Sequence, residues 1–179
     1  MQQTNLFDNA ANETLAPDGD NRFGGLAPTD LSDDEKDSLI QLALRVLEPG
    51  ERYDVFTDVE STKRYLQLRF AREPHEIFAC AYLDTRHRLI ELAELFRGTI
   101  DGCSVHPRVV AHRALVVEAG ACIMVHNHPS GDPTPSPEDV SVTKAIVEAG
   151  RLLDIEVLDH LVIGRGRYVS LKAQGLGFG

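Results

Sequence analysis

The chain has no apolar run near the roughly 20 residues that a membrane-spanning helix needs, so nothing in it reads as a transmembrane segment. Its opening, Met1-Gln-Gln-Thr-Asn5, lacks the basic start and apolar stretch of a secretory leader. Cysteine is scarce and odd in number: Cys80, Cys103 and Cys122. Their spacing is not that of metal-binding thiolates, which excludes a cysteine-built zinc site. Cys80 and Cys122 lie in apolar runs and read as small core residues. Together these absences lead us to expect a protein of the reducing cytoplasm. There is also no basic excess. Residues 1–60 carry 14 acids and four bases, and residues 61–179 carry 14 of each. The larger part is therefore neutral and lacks the positive footprint that grips nucleic acid phosphates. No internal repeat is visible.

What is present suits one medium domain with a tail or small subdomain: 179 residues, 42% of them apolar. Residues 1–30 are polar, acidic and without period, and are expected to be disordered. Residues 31–57 read as a short helical lead-in, beginning at the capping box Ser32-Asp-Asp-Glu35 and stopped by Pro49-Gly50. Residues 58–179 read as the main domain. In it the patterning predicts a helix over 58–72, a buried strand over 77–83, and a second strand over 89–96. A loop follows over Gly98–Ser104. Pro107 then opens a helix that Gly120 closes, with Val109, Val110, Ala114 and Val117 facing inward. A strand over 121–125, a helix over 137–149 closed by Gly150, and a hairpin of 155–163 with 168–171 complete the chain. This mixed order predicts an α+β sheet sandwich.

The most informative stretch is His126-Asn-His128-Pro-Ser-Gly-Asp-Pro-Thr-Pro-Ser136-Pro-Glu-Asp139. On a strand, His126 and His128 share one face and Asn127 takes the other. Two imidazoles and a carboxylate are ligands suited to zinc, and three protein ligands leave one position for water. His-x-His alone is weak evidence. The prolines stiffen the loop, and the fixed offsets to Ser136 and Asp139 make the set specific. Ser136 also suits a helix N-cap, with Pro137 at the first position and Asp139 at the third. Asp139 has a plain reading too, as a helix-start carboxylate favoured by the dipole.

This pattern of His-x-His, seven residues and Ser-x-x-Asp resembles the JAMM (MPN-plus) metallohydrolases, and its wording resembles the RadC family within them. The resemblance covers roughly residues 55–175. It includes Phe96-Arg-Gly-Thr99, Ser104-Val-His-Pro-Arg108 and Leu158-Asp-His-Leu-Val-Ile-Gly164. Two features depart from the family. Val109 stands where a glutamate usually follows His-Pro-Arg, and the helical DNA-binding-like segment of longer members is not evident in residues 1–57.

The resemblance implies a JAMM/MPN-type mixed sheet flanked by helices, with cytidine-deaminase-like layering. It implies one zinc held by His126, His128 and Asp139, and an upstream glutamate as general base. Glu76, in Pro74-His-Glu76-Ile-Phe78, matches that place, with Glu94 as the alternative. It gives Ser136 a second role, polarising the substrate carbonyl or its oxyanion. Asp159 and His160 read either as structural hydrogen-bonding groups or as partners of the zinc ligands. The expected activity is zinc-dependent hydrolysis of an amide or isopeptide bond in a protein or peptide. The alternative is an accessory protein of DNA repair or mobile elements, recruited by protein partners. Gln3-Thr-Asn-Leu6-Phe7 resembles peptides that dock on the bacterial sliding clamp, which would supply such a partner.

Overall fold

The structure is a computed structural model and describes residues 27–47, 59–98 and 105–179. The stop at Pro49-Gly50, the loop over 99–104, Cys103 and the Gln3–Phe7 motif lie outside the described residues. The chain divides into two compact units, residues 1–42 and 43–179. In the first, a 3-10 turn at Pro28–Asp30 precedes helix α1 (Asp33–Leu47), whose C-terminal end runs into the second unit. The capping box forms as its sequence predicts. The Glu35 N–H donates to Ser32 Oγ at 3.3 Å, and the Ser32 N–H donates to Glu35 Oε2 at 2.8 Å.

The second unit is built on five strands in the order β2-β1-β3-β4-β5. Strand β1 (Ile77–Leu83) pairs antiparallel with β2 (Leu89–Arg97) on one side and with β3 (Ala121–Asn127) on the other. Strand β4 (Glu156–Ile163) runs parallel to β3, and β5 (Tyr168–Ser170) closes the sheet antiparallel to β4. A parallel pair needs a long crossover, and the helix of the histidine motif supplies it. The helices of the unit are α2 (Val59–Phe70), α3 (Pro107–Val116) and α4 (Pro137–Leu152).

Alternation along the strands sorts the core. Phe78, Cys80 and Tyr82 of β1 join Cys122 and Met124 of β3 against Val110 and Ala114 of α3 and Ile146 and Val147 of α4. Strand β1 is buried at all seven residues, which requires cover on both faces. Helix α2, with Leu66 and Phe70 fully buried, packs on β3 and β4. This is the expected α+β architecture, a mixed sheet flanked by helices. Cys80 and Cys122 are buried free thiols, as their apolar neighbours predict.

Two helix ends differ from the sequence reading. Helix α3 stops at Val116 rather than reaching Gly120, and Glu118 takes the left-handed conformation at φ 55°. Gly120 serves close approach instead, because a Cβ there would lie 3.0 Å from Thr85 Cγ2. On the same helix Val109 points outward, 36% exposed, while Val110 and Ala114 carry the inward face. Helix α4 passes through Gly150 to Leu152, and Asp154 turns left-handed at φ 56°. A Cβ on Gly150 would come 2.6 Å from the Ile155 carbonyl oxygen. The glycine lets the returning chain touch the helix, so contact with the next strand, not chain reversal, decides its place.

Candidate metal centre

Strand β3 is central, between β1 and β4, and His126 sits in register with Phe78 on one side and Val162 on the other. His126 is 1% exposed. His128 follows just beyond the strand, its N–H donating to the Ile163 carbonyl at 2.9 Å. The chain then turns through Gly131 at φ 86°, a left-handed conformation that suits glycine. The Arg165 N–H donates to the Gly131 carbonyl at 2.9 Å, seating the proline loop on the β4–β5 hairpin. Ser136 ends the loop as N-cap of α4, with Pro137 in the first turn and Asp139 at the third position.

These local rules bring three side chains to one point. His126 Nε2 lies 3.0 Å from His128 Nε2 and 3.2 Å from Asp139 Oδ1. His128 Nε2 lies 3.6 Å from Asp139 Oδ2. One ligand atom from each of the three falls within 4.8 Å of the others, so the group is able to hold a metal ion. Tetrahedral ligands about 2.0–2.1 Å from a zinc-like ion lie roughly 3.3–3.4 Å apart, a value that the three separations straddle. The donor chemistry agrees. His128 Nδ1 faces the Asp132 carbonyl at 2.8 Å. A carbonyl only accepts, so Nδ1 carries a hydrogen, and in the neutral ring Nε2 presents a lone pair. A lone pair and a carboxylate turned toward a second imidazole nitrogen form a set that a cation satisfies.

Charge follows the same geometry. Burial pushes the Asp139 carboxyl up, but hydrogen bonds with His126 and His128 outweigh it and hold the group well below the usual carboxylate range. His128 is raised, first by Asp139, with the Asp132 carbonyl and the charge of Glu76 adding to it. His160 is fully buried, and that burial holds its imidazole well below the ordinary value.

Ser136 forms the capping box with Asp139. Its hydroxyl donates to Asp139 Oδ2 at 2.8 Å and accepts the Asp139 N–H at 3.1 Å, and its own N–H donates to Oδ2 at 2.7 Å. The structural reading of this serine is therefore realised, and its hydroxyl also orients the candidate ligand. Glu76 is half-buried just ahead of β1, close enough for its charge to act on His128. Glu94 is on β2 and is committed to Arg69 and, at 3.4 Å, to Arg97. His106 is the N-cap residue of α3, and its ring meets Phe96 edge-on.

Two further residues belong to the site. Strand alternation predicts Asn127 on the opposite face from the two histidines. Its Oδ1 accepts the buried Ile77 N–H at 2.9 Å, and its Nδ2 donates to the carbonyls of His75 at 3.0 Å and Glu73 at 3.3 Å. It thus holds the segment that carries Glu76. Thr143 lies one helical turn after Asp139 and so shares its face, the one local signal in the sequence that points to it. His160 Nε2 sits 2.8 Å from His126 Nδ1, behind the candidate ligand. Asp159 does not reach the metal group. It accepts the His160 N–H at 2.7 Å and the Ser170 hydroxyl at 2.8 Å, and so braces the end of the sheet.

Residues 56–176 match the family model described as RadC-like JAB domain. The chain is similar to a UPF0758 protein of Nitrosococcus oceani, 51% identical over 126 residues, covering 70% of this chain and 56% of that protein. A UPF0758 protein of Marinobacter nauticus is 49% identical over 76% of this chain and 62% of its own length. One from Xanthomonas oryzae is 46% identical over 155 residues, 86% of this chain and 68% of its own. The chain thus spans less than two thirds of the first two relatives, and none of the three names specifies a reaction. Sheet, histidine–aspartate group and relatives agree, and the chain belongs to the RadC-like JAB domain family, related to the JAMM metallohydrolases.

Proposed function

We propose that the chain is a zinc-dependent hydrolase of amide or isopeptide bonds. The observation that carries this is the convergence of His126, His128 and Asp139 within 4.8 Å, a three-ligand set of the kind that leaves a tetrahedral ion one open position. Zinc bound there supplies a water acidified to a pKa of about 7 and a Lewis acid for the scissile carbonyl. Glu76 accepts a proton from the attacking water and delivers it to the leaving nitrogen. Its half-buried place beside His128 supports that role. In the resting chain the Ser136 hydroxyl donates a hydrogen bond to Asp139. Turned toward the substrate, the same hydroxyl stabilises the developing oxyanion, while the Ser136 N–H keeps Asp139 in place. The substrate is a protein or peptide, by likeness to JAMM peptidases.

The test begins with metal content. The chain purified without chelator should carry about one zinc, and His126→Ala, His128→Ala and Asp139→Ala should each lose most of it. Full occupancy after any two of these changes overturns the site. Glu76→Gln should keep its zinc and lose cleavage of peptide and isopeptide substrates by about 10²-fold or more. Normal turnover in Glu76→Gln with a dead Glu94→Gln would move the base to Glu94.

A further inference from the structure

Behind the metal group lies a buried chain of hydrogen bonds from α4 through β4 to β3, and its direction can be read from the chemistry of its ends. The Thr143 hydroxyl donates to the carbonyl of Asp139, one turn back on α4. That carbonyl has no proton to give, so the single hydroxyl proton of Thr143 is committed to it. The same oxygen contacts His160 Nδ1. With its proton engaged, Thr143 Oγ1 can only accept there, so His160 Nδ1 carries a hydrogen. Thr143 and His160 are both fully buried, and Phe78 meets the His160 ring edge-on at 5.5 Å. The neutral ring then has a lone pair at Nε2, which lies 2.8 Å from His126 Nδ1. His126 must donate there, so in its neutral form the lone pair is at Nε2, the nitrogen that faces His128 and Asp139.

We infer that Thr143 and His160 are positioning residues that fix the tautomer of His126. The Asp139 backbone carbonyl, read through Thr143 and His160, decides which nitrogen of His126 is available to a metal. One turn of α4 therefore places the aspartate ligand and dictates the protonation of the histidine ligand on another element. The consequence for zinc rests on the proposed metal centre; the tautomer assignment does not.

The experiment uses the full chain, with zinc and after chelation. Long-range 15N–1H correlation of the imidazole rings reports which nitrogen of each histidine is protonated. The wild-type chain should show protonated Nδ1 on both His160 and His126 in the chelated state. Thr143→Val keeps the shape and removes the acceptor. It should shift the His160 proton off Nδ1 and weaken zinc binding by about 10–100-fold in competition with a chromophoric chelator. Thr143→Ser, which keeps the hydroxyl, should restore both readouts. A wild-type His160 protonated on Nε2, or a Thr143→Val chain with unchanged tautomers and zinc affinity within about twofold, overturns the inference. Should the wild-type chain take up no zinc, the metal centre fails while the tautomers still decide the relay. A threonine that only packs would leave the tautomers unmoved.

Discussion

Asn127 stands between the two histidines and faces away from them, yet it ties the two halves of the site. Its amide meets one N–H and two carbonyls, an assignment that only one orientation of the amide satisfies. Asn127→Ala would leave the fully buried Ile77 N–H without its acceptor, a loss of about 1–3 kcal/mol. Denaturant unfolding should show it. Asn127→Asp keeps the acceptor but turns a carboxylate toward two carbonyls, so it should destabilise the chain at least as much. Zinc content should persist in both, since neither change touches a ligand. Equal stability of Asn127→Asp and wild type would remove the clamp from the account. Strand alternation alone placed this side chain on the far face. That it meets the turn before β1 depends on the β1–β3 pairing, which no local pattern reveals.

At the scale of elements, the site is the meeting of a strand end, a proline loop and a helix start. Each was legible in the sequence because each follows a short-range rule. Ser136, Pro137 and Asp139 obey capping chemistry, and Ile77–Leu83 is a strand with the predicted bounds. The helix ends were less legible. Gly120 and Gly150 read locally as stop signals, whereas their lack of a Cβ is used for tertiary contact. Gly164 is the same case at the site itself. A Cβ there would lie 2.6 Å from Pro133 Cδ, inside the loop that joins His128 to Asp139. Gly164→Ala should therefore push the proline loop off the β4–β5 hairpin. We expect a stability loss of about 1–3 kcal/mol, together with weaker zinc binding in the chelator competition. Unchanged zinc affinity would show that the loop keeps its ligands in place without the hairpin.

At the scale of the whole molecule, metal and fold should be linked, because binding to the folded state alone stabilises it. Chelation of the zinc-loaded chain should lower Tm by roughly 8–16 °C, since about 4 kcal/mol is expected at a thousandfold excess over Kd and each kcal/mol moves a chain of this size by about 2–4 °C. An unchanged Tm in the presence of chelator would argue against a resident ion. Charge sets a second expectation. The chain is at −10 overall, and residues 61–179 are balanced. Binding of the full chain to duplex DNA should therefore be weak and without sequence preference. Micromolar or tighter affinity that falls steeply with salt would overturn it.

The sequence by itself determined the order of the elements and the offsets of the candidate metal-binding side chains. Hydrophobic period, capping and turn chemistry act over a few residues, and His126, His128 and Asp139 come from one such continuous stretch. The family wording also singled out Glu76 ahead of Glu94. Tertiary structure decided what stands around that stretch. Only the pairing of β1 with β3 and β3 with β4 brings Asn127 to the Glu76 segment and His160 to His126. Only the packing of α4 over β4 makes Thr143 a partner of His160. These contacts join residues 17–52 positions apart. Directional hydrogen bonds between distant residues leave no periodic trace in a chain, so they become visible only once the sheet has formed.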